Sequence, residues 1–151
     1  MCHSRRRNAF TLIEVLIVVI IMAVLAATII PQFTTSTKDA KVSSLKFNMH
    51  TLRSQIELYK AQHNGDYPAV VSNTIPNLTQ KTNADGTTTG TPTFGPYVDQ
   101  IPPNPMNSLS TVKSVSLSGA KPTSGSGSGW QYDPDTGAIW PDDTETDYTS
   151  L

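Results

Sequence analysis

From Phe10 to Ile30 the chain runs for 21 residues in which only Thr11, Glu14 and Thr28 are polar. At about 1.5 Å per residue, a helix over this stretch would be about 31 Å long, close to the ~30 Å hydrocarbon thickness of a bilayer. Arg5-Arg6-Arg7 stand just before it. The positive-inside bias holds that end in the cytoplasm and sends the bulk of the chain to the other side. Glu14 is the anomaly. A charged residue in hydrocarbon costs roughly 2.5–3.5 kcal/mol on insertion scales, so Glu14 is expected to have a partner and a purpose.

Three simpler readings of this stretch compete. An ordinary single-pass anchor leaves Glu14 unexplained. A secretory signal cut near Ala23-Val24-Leu25-Ala26 would carry a glutamate in its apolar core and run on through Ile29 and Ile30. A twin-arginine export signal matches only in the arginine run.

Composition divides the chain. Residues 1–64 hold no glycine and one proline (Pro31), whereas residues 65–151 hold all nine glycines and the other ten prolines. The first part reads as helix, the second as turns, short strands and loops. Net charge is −1 with eleven Lys+Arg and twelve Asp+Glu; without Arg5–Arg7 it becomes 8 − 12 = −4. No clustered basic footprint for nucleic acid is present. The only cysteine is Cys2, so a chain cut after Ala9 could form no disulfide.

Ala9-Phe10-Thr11-Leu12-Ile13-Glu14 after a short basic leader resembles the class III signal of type IV pilins and type II secretion pseudopilins. The match is dense over residues 5–31 and includes the apolar run and Pro31. The resemblance implies that a prepilin peptidase cuts on the cytoplasmic side between Ala9 and Phe10 and methylates the new amine of Phe10. Ala9 departs from the family, which usually has glycine there; alanine is small enough for a tight site, with slower cutting expected. Cleavage would create a cation four residues from Glu14. The carboxylate could then pair with its own amine or with that of a neighbouring subunit, and in the second case would set the register between subunits.

Pro31 lacks an N–H and crowds the carbonyl four residues earlier, so a helix through it bends or opens. Ser36-Thr37-Lys38-Asp39 could cap a restarted helix, and continuation and restart both stay open. Beyond it, Val42, Leu45, Met49, Leu52, Ile56 and Tyr59 form one apolar stripe at helical spacing, the core face of a small domain. Phe47 and Leu58 fall about 200° and 220° around the helix from Leu45, among polar residues. They are either single exposed apolar residues or contacts to neighbouring subunits. His50 and His63 lack flanking ligands at metal spacing and read as surface residues. Asn64-Gly65-Asp66-Tyr67-Pro68 ends the helix, much as pseudopilins leave theirs.

The second half offers only a short helical turn around Ile75–Thr79. Six of residues 82–93 are threonine, a loop or irregular hairpin. Gly95-Pro96-Tyr97-Val98 and Ile101-Pro102-Pro103-Asn104-Pro105 resemble in arrangement a segment of the major pseudopilins, and their prolines exclude a central strand. Val115 and Leu117 alternate with serines as in a short strand. Ser124–Gly129 reads as a flexible tether. Trp130-Gln131-Tyr132 and Ala138-Ile139-Trp140 flank Asp133-Pro134-Asp135-Thr136-Gly137 as a β-hairpin whose aromatics should pack on the helix stripe. In the acidic tail, the resemblance to major pseudopilins implies a calcium site drawn from Asp142, Asp143, Glu145 and Asp147; a solvated tail is the other reading.

The expected fold is α+β: a long N-terminal helix, half transmembrane and half amphipathic, packed on a small C-terminal antiparallel sheet with long loops. Its segments are a cleaved basic leader (1–9), a transmembrane assembly helix (10–30), its amphipathic continuation (31–64) and a small periplasmic loop-and-strand region (65–151). With two downstream histidines, no Gly-rich phosphate loop and no convincing acid pair, the sequence does not read as an enzyme. The resemblance implies a filament subunit of a type II secretion pseudopilus, made in the inner membrane. Its implied partners are prepilin peptidase, copies of itself, minor pseudopilins and an inner-membrane assembly platform. The alternatives are a type IV pilus subunit for adhesion, motility or DNA uptake, and a membrane-anchored binding domain.

Overall fold

The computed structural model of the chain describes residues 10–116, 123 and 125–142. It has two compact units, Met1–Ala40 and Lys41–Leu151, and helix α1 (Leu12–Gln62) contributes to both. After α1 come the single turn α2 (Pro76–Thr79) and strands β1 (Val112–Ser114), β2 (Trp130–Tyr132) and β3 (Ile139–Pro141). The architecture is α+β, as the sequence led us to expect.

Helix α1 continues through Pro31, which settles the choice between continuation and restart. Ser36–Asp39 lie inside the helix and do not start a new one. Its exit follows the residues read from sequence. Asn64 (φ 57°) and Gly65 (φ 92°) turn left-handed, and the Gly65 N–H reaches back to the Lys60 carbonyl at 3.0 Å. This satisfies a carbonyl that the helix end would otherwise leave open.

The core of the second unit is built on the stripe. Leu45, Met49, Leu52, Ile56 and Tyr59 of α1 are buried with Ile75, Leu78, Ile101, Val112, Trp130, Tyr132 and Ile139. Burying a Leu or Ile side chain fully stabilises by about 1.5–3 kcal/mol relative to exposure, so the 3–4 spacing decides which face of α1 turns inward. Trp130 enters this core and donates its indole N–H to the Pro102 carbonyl at 2.8 Å, while Trp140 is only half-buried.

The three strands form one sheet in the order β1-β2-β3. The hairpin is antiparallel, with Trp130 opposite Pro141 and Tyr132 opposite Ile139; Pro141 is tolerated because β3 is an edge strand. Strand β1 differs from expectation in two ways. It pairs parallel to β2, Val112 opposite Trp130, because residues 115–129 are long enough for the crossover a parallel pair needs. It also begins at Val112 rather than Val115: Val112 is the buried side chain there, and its N–H donates to the Asn73 carbonyl at 2.7 Å.

Candidate functional site

The N-terminal unit presents its apolar side chains outward. From Leu12 to Met22 every large hydrophobic side chain is exposed, consecutive residues included, so the helix is apolar on all faces. Leu12–Ile29 is long and apolar enough to cross a membrane, and none of it is buried. Thr28 satisfies its hydroxyl within its own helix, on the Leu25 carbonyl at 2.9 Å. Phe10 stands 85% exposed just ahead of the first turn. Ala9 lies outside the described residues.

Glu14 finds its partner three residues back. The Thr11 N–H and the Thr11 hydroxyl both donate to Glu14 Oε2 at 3.0 Å, and the Glu14 N–H donates to the Thr11 hydroxyl oxygen at 3.3 Å. Thr11 is the N-cap residue of α1 and Glu14 is its N3, so the pair forms a reciprocal capping box. A carboxylate here also faces the partially positive end of the helix. The Thr-x-x-Glu spacing was the signal for it. Thr11, an uncharged residue, is thus the partner of Glu14.

On the second unit Phe47 is 72% and Leu58 44% exposed, on the side of α1 away from the buried stripe. His50 is exposed, but the surface reading of His63 was wrong. His63 is buried, its ring stacked on Tyr59 at 3.6 Å between centroids. Its Nδ1 lies 2.8 Å from the Tyr59 carbonyl, which can only accept, so Nδ1 carries the proton. Nε2 then faces the Thr82 hydroxyl at 2.8 Å. The ring therefore pins the 82–94 loop to the end of α1. Thr82 lies too far along the chain for spacing to reveal the contact.

Asp142 closes strand β3. Its Oδ1 accepts the N–H groups of Gly125 (2.8 Å) and Ser126 (3.1 Å) and the Gln131 amide (2.7 Å). Its Oδ2 accepts the hydroxyls of Ser126 (2.6 Å) and Ser128 (3.1 Å) and the Ser128 N–H (2.9 Å). Burial alone would raise this carboxyl. The Ser126 hydroxyl, the Ser128 and Ser126 N–H groups and the Gln131 amide outweigh it and hold the pKa well below the usual carboxylate range. The serine–glycine segment is thus no tether where it is described; it wraps a buried carboxylate. Asn107 completes the arrangement, its amide donating at 2.8 Å to both the Ser128 and Asp142 carbonyls. Asp143, Glu145 and Asp147 lie outside the described residues. Among the described residues no three His, Cys, Asp or Glu side chains converge as a metal site would require.

Residues 4–30 match the family model of the prokaryotic N-terminal methylation motif. Type II secretion system core protein G of Pseudomonas aeruginosa is 35% identical over 67 residues, which cover 44% of this chain and 46% of the relative. The protein of the same description from Dickeya chrysanthemi is 32% identical over 65 residues, covering 43% and 42%. The match thus spans less than half the length of these curated relatives. No solved structure matches the chain. The chain thus carries a methylation motif that leads into an exposed apolar helix, and over less than half of its length it is similar to these two type II secretion system core proteins.

Proposed function

We propose that this chain is a structural subunit of a type II secretion pseudopilus. In this reading prepilin peptidase cuts between Ala9 and Phe10 and methylates the Phe10 amine. The subunit then leaves the inner membrane for a filament by exchanging lipid for copies of its own helix. The observation that carries the reading is that α1 is apolar on every face over Leu12–Ile29 and lies directly behind the methylation motif. Such a surface needs lipid or protein around it, and a helical filament supplies protein on all sides.

Glu14 supports the reading through chemistry. Before cleavage it is held by Thr11. After cleavage a cationic amine at Phe10 lies within the same turn, and a neighbour's amine can compete for the carboxylate. Pro31 lies between the membrane-spanning part of α1 and its amphipathic continuation, where a locally opened helix would suit packing in a curved fibre. Phe47 and Leu58 would add contacts between subunits on the outer face. Other partners are minor pseudopilins and the inner-membrane platform that drives assembly. The chain itself does no chemistry and works from the inner membrane with its C-terminal unit in the periplasm.

Mass spectrometry of the N-terminus, from cells that contain the peptidase, tests the proposal. A chain beginning at N-methylated Phe10 is expected. A chain beginning near Ala27 would mean a secretory signal, and an intact leader a plain anchor; either would end the pseudopilin reading.

A further inference from the structure

Resemblance to the major pseudopilins implies a calcium ion in the C-terminal loop, with Asp142 among its ligands. The surroundings of Asp142 do not fit that ion. Calcium takes six to eight oxygen lone pairs at about 2.3–2.6 Å. Each Asp142 oxygen instead lies within hydrogen-bond distance of three N–H or O–H groups, the Ser128 hydroxyl being shared with the Trp130 carbonyl. The serine hydroxyls could rotate to offer oxygen. The backbone N–H groups of Gly125, Ser126 and Ser128 cannot.

The backbone explains why those N–H groups converge. Gly125 (φ 92°) and Gly127 (φ 77°) sit in the left-handed region with Ser126 between them. Alternation of this kind turns successive N–H groups into one concavity, a nest that binds anions and repels cations. Asp142 fills the nest with its own carboxylate. Its backbone joins the same cluster, the N–H donating to the Gly129 carbonyl at 3.0 Å and the carbonyl accepting from Asn107.

We infer that the last hairpin of this subunit is fastened by the Asp142 carboxylate seated in the Gly125–Ser128 nest, and that this fastening replaces a bound cation. It ties the end of β3 to the start of β2 and, through Asn107, to the proline-rich loop. The subunit would then keep its fold without calcium.

The test is thermal unfolding of the full chain in detergent, followed by circular dichroism, in calcium and in EGTA. Wild type is expected to melt within about 1 °C in the two conditions, and Asp142→Asn, which places an NH2 against three donors, on the order of 10 °C lower. Should Asp142→Asn fail to fold, Ser126→Ala removes the shortest of the six bonds to the carboxylate together with the Ser126–Ser128 hydroxyl contact, with an expected loss of roughly 5 °C. A rise of several degrees in wild type on adding calcium would overturn the inference. So would wild-type melting of either variant.

Discussion

The two roles given to Glu14, helix cap and register between subunits, separate by substitution. Glu14→Gln keeps an acceptor at N3, and capping boxes take Gln as readily as Glu, so the bonds from Thr11 survive while the charge is lost. Thr11→Val does the converse. It removes the hydroxyl that donates to Glu14 at 3.0 Å and accepts from its N–H at 3.3 Å, but keeps the backbone N–H bond at 3.0 Å and the charge. A lost cap costs about 1 kcal/mol, roughly fivefold in an equilibrium constant. Removing one partner of a buried ion pair costs about 3–5 kcal/mol, on the order of 100-fold or more for each subunit added. Thr11→Val is therefore expected to assemble at reduced yield, and Glu14→Gln to fail although its helix content in detergent is unchanged. The assay is the fraction of subunit in sedimented fibres by immunoblot, with N-terminal mass spectrometry showing that each variant is cut. Normal assembly of Glu14→Gln together with failure of Thr11→Val would refute the register role and leave Glu14 as a cap.

Four further outcomes are expected of the full chain in detergent or in cells. Because the folded Asp142 carboxyl lies below its unfolded value of about 3.9, its contribution is complete above that pH; the melting temperature should fall as pH drops below about 4, and Asp142→Asn should flatten that limb. The Tyr132 hydroxyl is buried with no hydrogen-bond partner among the described residues, so Tyr132→Phe should leave stability unchanged or raise it by about 1 kcal/mol in denaturant titration. A Cβ at Gly137 (φ 73°) would run into the Tyr67 ring, so Gly137→Ala should cost about 1–3 kcal/mol by the same titration. Phe47→Ser should reduce the fibre fraction without lowering the melting temperature, since Phe47 is 72% exposed; an equal loss of both would place Phe47 in the fold and not in the interface.

What sequence revealed and what it hid divide by distance along the chain. The Leu45–Tyr59 stripe was legible because helical period alone assigns its face, and the Trp130–Pro141 hairpin because Asp133–Gly137 carries its own turn chemistry. Three features needed partners that spacing does not name. His63 owes its burial to Thr82, nineteen residues on. The serine–glycine run looks like a linker by composition, and only Asp142, fourteen to sixteen residues beyond the serines, makes it a nest. Strand β1 is set by its parallel partner rather than by its own alternation. Thr11 is the exception: its signal was local, a Thr three residues before a Glu, but an unpaired charge directs attention to a countercharge and away from two uncharged donors.

That last point changes what the apolar helix can do alone. A carboxylate with no partner would make the uncut precursor costly to hold in a bilayer, and the anchor would then depend on immediate processing. With Thr11 donating twice to Glu14 Oε2, the precursor carries its charge already hydrogen-bonded at the helix end, where the helix dipole also favours it. In the proposed pseudopilus subunit, the uncut chain would then be able to wait in the membrane. Cleavage before Phe10 would then add a cation beside a carboxylate held by uncharged donors. On that proposal, exchange of those bonds for an ionic one would need no unpaired intermediate, because Thr11 would hold the Glu14 carboxylate until an amine arrived. The same residue can thus serve storage before processing and register after it, and the variant that isolates the two is Glu14→Gln, which keeps the first and loses the second.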